Sequence, residues 1–153
     1  MRKKRTYLLI DNPFVLVARN TSQAIVTATT TVVQWNTLIQ EYGLTFDLTN
    51  FRFDVPATGI YKVIMSVFWG SNTTGDRWMD VNDNIVGQIG GQWNDAPTSV
   101  VHLHAFNMIS ILNLVAGRQI NTRVFHTAGV NVNIGGGAVN FTRLYIEQVK
   151  ILG

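Results

Sequence analysis

The chain has 153 residues, 46% of them hydrophobic, no cysteine and a formal net charge of +3. That length buries one sizeable core rather than two, and the lack of cysteine excludes disulfide staples, cysteine nucleophiles and cysteine-held zinc or iron–sulfur clusters. Arg2, Lys3, Lys4 and Arg5 hold four of the twelve basic side chains, which leaves eight basic against nine acidic residues, net −1, in the remainder.

The basic character therefore belongs to a tail. Tyr7, Leu8, Leu9 and Ile10 follow the charges directly, so residues 1–13 are predicted to form an arm and residues 14–153 a single domain. A basic arm can touch nucleic acid, a membrane or an acidic protein surface, but four charges are too few to specify a nucleic-acid binder, and a solvated terminus or an arm packed on a neighbouring protein is expected. The apolar run 8–10 is too short for a signal-peptide core, and no stretch is long enough to cross a bilayer as a helix. Neither a cleavable signal nor membrane insertion is expected, so the sequons at Asn20, Asn72 and Asn140 are not expected to carry glycans.

After the turn signal Asp11, Asn12, Pro13, residues 14–17 read as a short strand. Residues 21–35 are dense in Thr, Ala and Val, which favours strand over helix. Residues 37–42 suit a helical turn closed by Gly43, and Leu44, Phe46 and Leu48 then alternate as in a strand. The clearest passage is 51–69. Phe51, Phe53 and Val55 alternate with Arg52 and Asp54, the period of a strand with one wet face. Pro56 and Gly59 then break the chain for a turn. Beyond them, residues 60–69 are apolar on nearly both faces, interrupted by Lys62 and Ser66, and such a strand needs cover on both sides.

Residues 77–89 read as two strands around the turn Asn82, Asp83, Asn84, with Gly87, Gly90 and Gly91 limiting their length. Residues 99–114 alternate in two series, residues 117–126 alternate again, 130–134 do so until Gly135, Gly136 and Gly137, and 141–152 make a long closing strand. Many short strands, Gly-rich turns and scarcely a helix predict an all-β sandwich or barrel.

Chemistry is sparse. His102 and His104 share one face of a strand, and His126 is the third histidine; without a nearby carboxylate they form an incomplete metal set. Asp76, Asp80 and Asp83, with Asn82 and Asn84, are the oxygen-rich cluster and the candidates for a calcium site, although Asp and Asn also suit a tight turn. The glycine runs are not followed by the Lys-Ser/Thr or helix of a phosphate loop, and no serine sits in a Gly-x-Ser-x-Gly elbow. No enzyme activity, cofactor or resident metal is expected. Trp78 and Trp93 lie beside polar, Gly-rich segments, where flat rings suit the face of a sugar, and they are the glycan-contact candidates.

Trp35 with Asn36, Phe51 with Phe53, the series Gly59, Tyr61, Val63 and Met65, then Leu112, Leu114, Gly117 and Ile120, and finally Phe141, Arg143 and Tyr145 form a pattern. It resembles the jelly roll of the tumour-necrosis-factor-like superfamily, in particular its complement globular heads. Val63 and Met65 stand where that branch carries aromatics, and Arg143 stands in place of its closing Gly. The resemblance implies a double-sheet jelly roll of about ten strands and a homotrimer, with Tyr61, Val63, Met65 and Tyr145 at the threefold contact and a calcium site near the apex. It also implies a non-enzymatic role in assembly or adhesion.

With no cysteine or signal segment, the chain is expected to be made in a host cytoplasm and displayed on a virion surface, as bacteriophage jelly rolls are. The predicted role is a trimeric capsid-decoration protein whose arm grips the major capsid protein or another virion protein through Arg2, Lys3, Lys4, Arg5, Tyr7, Leu8, Leu9 and Ile10. The alternative is a receptor- or carbohydrate-binding head of a viral fibre or bacterial adhesion protein that contacts a host surface glycan.

Overall fold

The computed structural model describes residues 12–94, 104–135 and 142–152. Within them the chain forms strands β1 (Phe14–Ala18), β2 (Gln23–Ile25), β3 (Thr31–Val32), β4 (Thr37–Tyr42), β5 (Phe53–Asp54) and β6 (Gly59–Trp69). They are followed by β7 (Arg77–Asp83), β8 (Gly87–Asn94), β9 (His104–Leu114), β10 (Gln119–His126), β11 (Val132–Ile134) and β12 (Arg143–Ile151). No helix occurs among the described residues.

Seven strands make one antiparallel sheet. Its path is β2-β11-β6-β12-β1-β4, with β9 paired along the whole of β6. The other five make a second antiparallel sheet, β3-β10-β7-β8, with β5 also on β10. The two sheets stack as a jelly-roll sandwich, the architecture expected from the short alternating strands, and twelve strands are found where about ten were expected.

Side-chain alternation decides what fills the gap between the sheets. Along β6, Tyr61, Val63, Met65, Val67 and Trp69 are all fully buried, while Ile60, Lys62, Ile64, Ser66 and Phe68 point the other way and stay partly exposed. Val15, Val17, Leu144, Ile146, Met108 and Leu114 join the inner face of the same sheet, opposite Met79, Val81, Ile120, Val124 and Phe53 of the other. Each large side chain so buried contributes about 1.5–3 kcal/mol. The polar tips are satisfied inside. Trp35 Nε1 donates to Thr122 Oγ1 at 2.9 Å. The Tyr61 hydroxyl donates to the Ala57 carbonyl at 2.8 Å and accepts from Gln148 Nε2 at 2.9 Å.

Several local expectations are corrected by long-range pairing. Residues 37–42 form β4 rather than a helical turn, because they pair with β1 from Phe14↔Tyr42 to Ala18↔Thr37. Leu44, Phe46 and Leu48 lie outside any strand. In the segment 51–55 only Phe53–Asp54 is strand. Asp47 Oδ1 accepts from the Thr49 and Asn50 amides, and Phe51 takes a left-handed φ of 56° to return the chain to its bridge with Asp47 at Arg52. Gly90 and Gly91 do not end β8 but lie within it, opposite Val81 and Asp80.

At one end of the sandwich, Arg77 is fully buried. Its guanidinium donates to the carbonyls of Thr74 at 2.9 Å, Gly75 and Asp76 at 3.2 Å, and Asn72 at 3.2 Å, and lies over the Trp69 ring, 5.4 Å from its centroid. Trp69 meets His126 edge-on at 5.7 Å. Both ring nitrogens of His126 are engaged: Nδ1 faces the Ala128 amide at 3.2 Å and so accepts, which leaves Nε2 to donate to the Ile25 carbonyl at 2.9 Å.

Burial pushes the His126 imidazole below its ordinary pKa, and the charge of Arg77 adds to the effect. As pH falls, the unfolded chain therefore takes up this proton first. The stability due to neutral His126 is complete above a pH of about 6.5 and is lost as pH falls below that value towards the folded-state pKa. The urea midpoint should accordingly drop between pH 7.5 and 5.5, and His126→Gln should flatten that slope. An equally steep slope in the variant would assign the titration to another group.

Candidate functional site

With the inner faces closed on each other, function is left to the outer faces. On the seven-stranded sheet the register brings Leu16 opposite Tyr145, Tyr145 opposite Ile64, and Ile64 opposite Ile109. These four side chains form one apolar row across β1, β12, β6 and β9. In the next row Phe14 lies opposite Glu147, Glu147 opposite Lys62, and Lys62 opposite Ile111. Ile109 and Ile111 are 69% and 63% exposed, a ridge on β9 of a kind that isolated soluble proteins seldom leave bare.

On the β4 side the same sheet is concave. Asn12, Phe14, Gln40, Glu41, Tyr42, Tyr145 and Glu147 line an open groove of about 510 Å³. The Phe14 and Tyr145 rings stack at 5.7 Å. Lys62 pairs with Glu147 and sits 5.6 Å from the Tyr145 ring centroid. The Lys62 hydrogen bond holds the Glu147 carboxyl below the usual carboxylate range, and Asn12 Nδ2, donating at 2.8 Å, helps. The single charged pair in the middle of this face is thus internally compensated.

The five-stranded sheet presents different chemistry. Phe125 lies opposite Trp78 and Trp78 opposite Trp93, so β10, β7 and β8 give one row of three aromatics. Trp78 stands 6.3 Å from each of the other two rings. The adjacent row is Arg123, Asp80 and Gly91, in which Arg123 Nε donates to Asp80 Oδ1 at 2.9 Å and Nη2 donates to Oδ2.

The structure redistributes the residues singled out from sequence. Tyr61, Val63 and Met65 have no exposed surface and belong to the protomer's own core, so the expectation that they line a subunit contact is corrected. Their outward neighbours Ile60, Ile64 and Phe68 occupy the available face, and the opposite parity of a strand apolar on both sides was the signal for them. Tyr145 does lie on that face. Trp78 and Trp93 come together, and Phe125 joins them through a pairing invisible in sequence.

The calcium candidates do not converge. Asp76 and Asp83 are separated by seven residues of extended chain, about 23 Å, and Asp80 is held by Arg123. Asp83 Oδ1 accepts from the Ile85 and Val86 amides at 2.7 and 3.2 Å and from Arg118 at 2.9 Å. Burial pushes the Asp83 carboxyl up, but those two amides and Arg118 outweigh it and hold it below its ordinary value. No three metal-ligating side chains gather among the described residues. His126 spends both nitrogens inside the core, while His102 and the arm residues Arg2, Lys3, Lys4, Arg5, Tyr7, Leu8, Leu9 and Ile10 lie outside the described residues.

Two stacked antiparallel sheets, with β4-β1-β12-β6-β9 in one and β3 and β5 joined to β10-β7-β8 in the other, define a double-sheet jelly roll of the kind found in tumour necrosis factors and complement heads. The structure of an Eiger TNF from S. frugiperda superposes with a TM-score of 0.64 at 14% identity, covering 93% of this chain and 96% of the other. The globular domain of zebrafish complement 1qA gives 0.64 at 12% identity, over 92% and 99%, and murine APRIL at pH 8.0 gives 0.68 at 13% identity, over 90% and 99%. No protein-family model and no curated protein matches the sequence. The likeness is one of fold.

Proposed function

We propose that this chain is a non-enzymatic assembly module that works as a homotrimer, closed through the outer face of its seven-stranded sheet. The observation that carries the reading is the apolar row Leu16, Tyr145, Ile64, Ile109 beside the exposed ridge Ile109 and Ile111. Ridge and groove sit at opposite edges of one face. A protomer that puts its β9 ridge into its neighbour's β1–β4 groove makes a head-to-tail contact, which closes into a ring rather than a twofold dimer. Three members follow the jelly rolls that this chain resembles. Chemistry is disfavoured because the carboxylates Asp80, Asp83 and Glu147 are each taken by a basic side chain.

Light scattering coupled to size exclusion tests the assembly. A mass three times that of the 17.1 kDa chain is expected at micromolar concentration. A stable monomer there and on its scaffold would sink the reading.

We place the trimer on a virion surface as a capsid-decoration protein, with residues 1–13 as its grip on the major capsid protein or another virion protein. Support comes from the sequence of the arm, in which the four charges of Arg2, Lys3, Lys4 and Arg5 stand directly before the apolar Tyr7, Leu8, Leu9 and Ile10. Deleting residues 1–11 should abolish binding to capsid shells while leaving the β-sheet spectrum and the trimer unchanged. Equal occupancy of the shells after deletion would reject the arm. A head that contacts a host glycan is the second reading, favoured by the aromatic row on the opposite sheet.

A further inference from the structure

We propose that the outer face of the five-stranded sheet is a binding platform for an uncharged pyranose oligosaccharide, with Trp93, Trp78 and Phe125 as its stacking floor and Gln88 and Asn82 as its polar border. The inference deepens the second reading above, but the platform is complete within one protomer and stands whether or not the trimer forms.

Three ladder rows build it. The first is Phe125, Trp78, Trp93, the second Arg123, Asp80, Gly91, and the third Asn121, Asn82, Gln88. With strands about 4.8 Å apart, three residues span roughly 10 Å, the length of about two sugar rings. Trp93 is 53% exposed, and Trp78 and Phe125 are half-buried, so the floor is wet but anchored in the ladder.

The middle row ends on β8 at Gly91, where the space for a side chain is already taken by neighbours. A Cβ at this position would stand 2.7 Å from Gln88 Nε2 and 3.1 Å from Trp78 Nε1. With no side chain there, the Gln88 amide and the Trp78 indole N–H both reach over Gly91, which sets polar groups at the edge of an apolar floor. Asn82 and Gln88 add amides, each of which offers both a donor and an acceptor, as sugar hydroxyls require. Asn121 Oδ1 is itself buried and has no hydrogen-bond partner among the described residues, so Asn121 offers no acceptor to a ligand.

Charge and area select the ligand. Arg123 and Asp80 neutralise each other through two hydrogen bonds, so the floor offers no free charge of its own to an anionic or cationic ligand. Three partly exposed rings fall well short of the roughly 800 Å² per partner that a stable protein interface buries. The opposite sheet, with the apolar row Leu16, Tyr145, Ile64 and Ile109 across four strands, has the chemistry of a protein contact. This one pairs aromatic faces with amides, which matches the apolar face and equatorial hydroxyls of a pyranose.

The full-length protein should be titrated with lactose, cellotriose and chitotriose, following tryptophan fluorescence and saturation-transfer NMR, with sialyllactose and a heparin disaccharide as charged probes. Binding of at least one neutral probe is expected, in the high-micromolar to millimolar range of a shallow site. Trp93→Ala should weaken it about tenfold or more, as loss of an aromatic stacking partner does. Gly91→Val should weaken it too, without change in the β-sheet spectrum for the exposed Trp93 variant. Silence of all three neutral probes at about 20 mM, response to the charged probes alone, or undiminished binding by a folded Trp93→Ala protein would overturn the proposal. So would shielding of Trp93 from acrylamide quenching on self-association, which would make the platform a protein contact.

Discussion

Ile64→Arg and Ile109→Arg should each turn the trimer into monomers that keep the wild-type β-sheet spectrum. Both side chains leave the outer face of the seven-stranded sheet, so the core of the protomer does not feel the change. In a closed ring, however, each substitution places a cation in the apolar row of Leu16, Tyr145, Ile64 and Ile109, where Lys62 is already paired with Glu147 and offers it no free carboxylate. Central contacts of this kind lose about 2–4 kcal/mol when disrupted, which is roughly 30-fold to 1,000-fold in the dissociation constant of each contact. The control is Ile85→Arg. Ile85 is 67% exposed, but it sits on the β7–β8 turn, away from the ridge, and its substitution should leave the mass unchanged. A trimeric Ile64→Arg protein would remove this face from the assembly.

Arg77→Ala should cost about 3 kcal/mol or more of folding stability, the largest effect expected from a single charged side chain here. The guanidinium gathers the carbonyls of Asn72, Thr74, Gly75 and Asp76 into the connection between β6 and β7. Without it these part-buried acceptors lose their donor, a cavity opens where the fully buried side chain stood, and Trp69 loses the cation over its ring. Burial already holds the Arg77 pKa below its ordinary value, a sign that the charge is kept for its hydrogen bonds rather than for solvation. Arg77→Lys should recover only a small part of the loss, since one ammonium cannot present the fork that reaches four carbonyls. Urea unfolding of the three proteins measures this. A loss of less than about 1 kcal/mol for Arg77→Ala would show that water or a loop shift replaces the guanidinium.

Much of the fold was legible in order along the chain. Alternation in 117–126 marks a strand because successive side chains leave a strand on opposite sides, the run 60–69 reads as one apolar on both faces, and Pro56, Gly59 and Gly117 mark turns by backbone chemistry that needs no distant partner. Where local signals were weak they misled. The segment 37–42 has helix formers in Leu38, Gln40 and Glu41, yet pairing with β1 makes it a strand. Gly90 and Gly91 suggest an interruption, yet the ladder to β7 carries them through β8.

Alternation by itself determined that β6 would have two apolar faces and that at least one lay beyond the reach of a single sheet. It could not determine which face was which. That choice falls to tertiary structure, because it depends on the register with β12 and β9 and on the sheet that packs above. Those pairings turn Tyr61, Val63 and Met65 inward and Ile60, Ile64 and Phe68 outward, so the residues first favoured for the subunit contact became core. In the same way Trp78 and Trp93 announced themselves as aromatics near polar loops, but only β10, which begins at Gln119, well beyond both in the chain, brought Phe125 and Arg123 beside Trp78 and its neighbour Asp80. A side chain's identity is local; its neighbours across a sheet are set by loop closures over long separations, which one-dimensional periodicity does not carry.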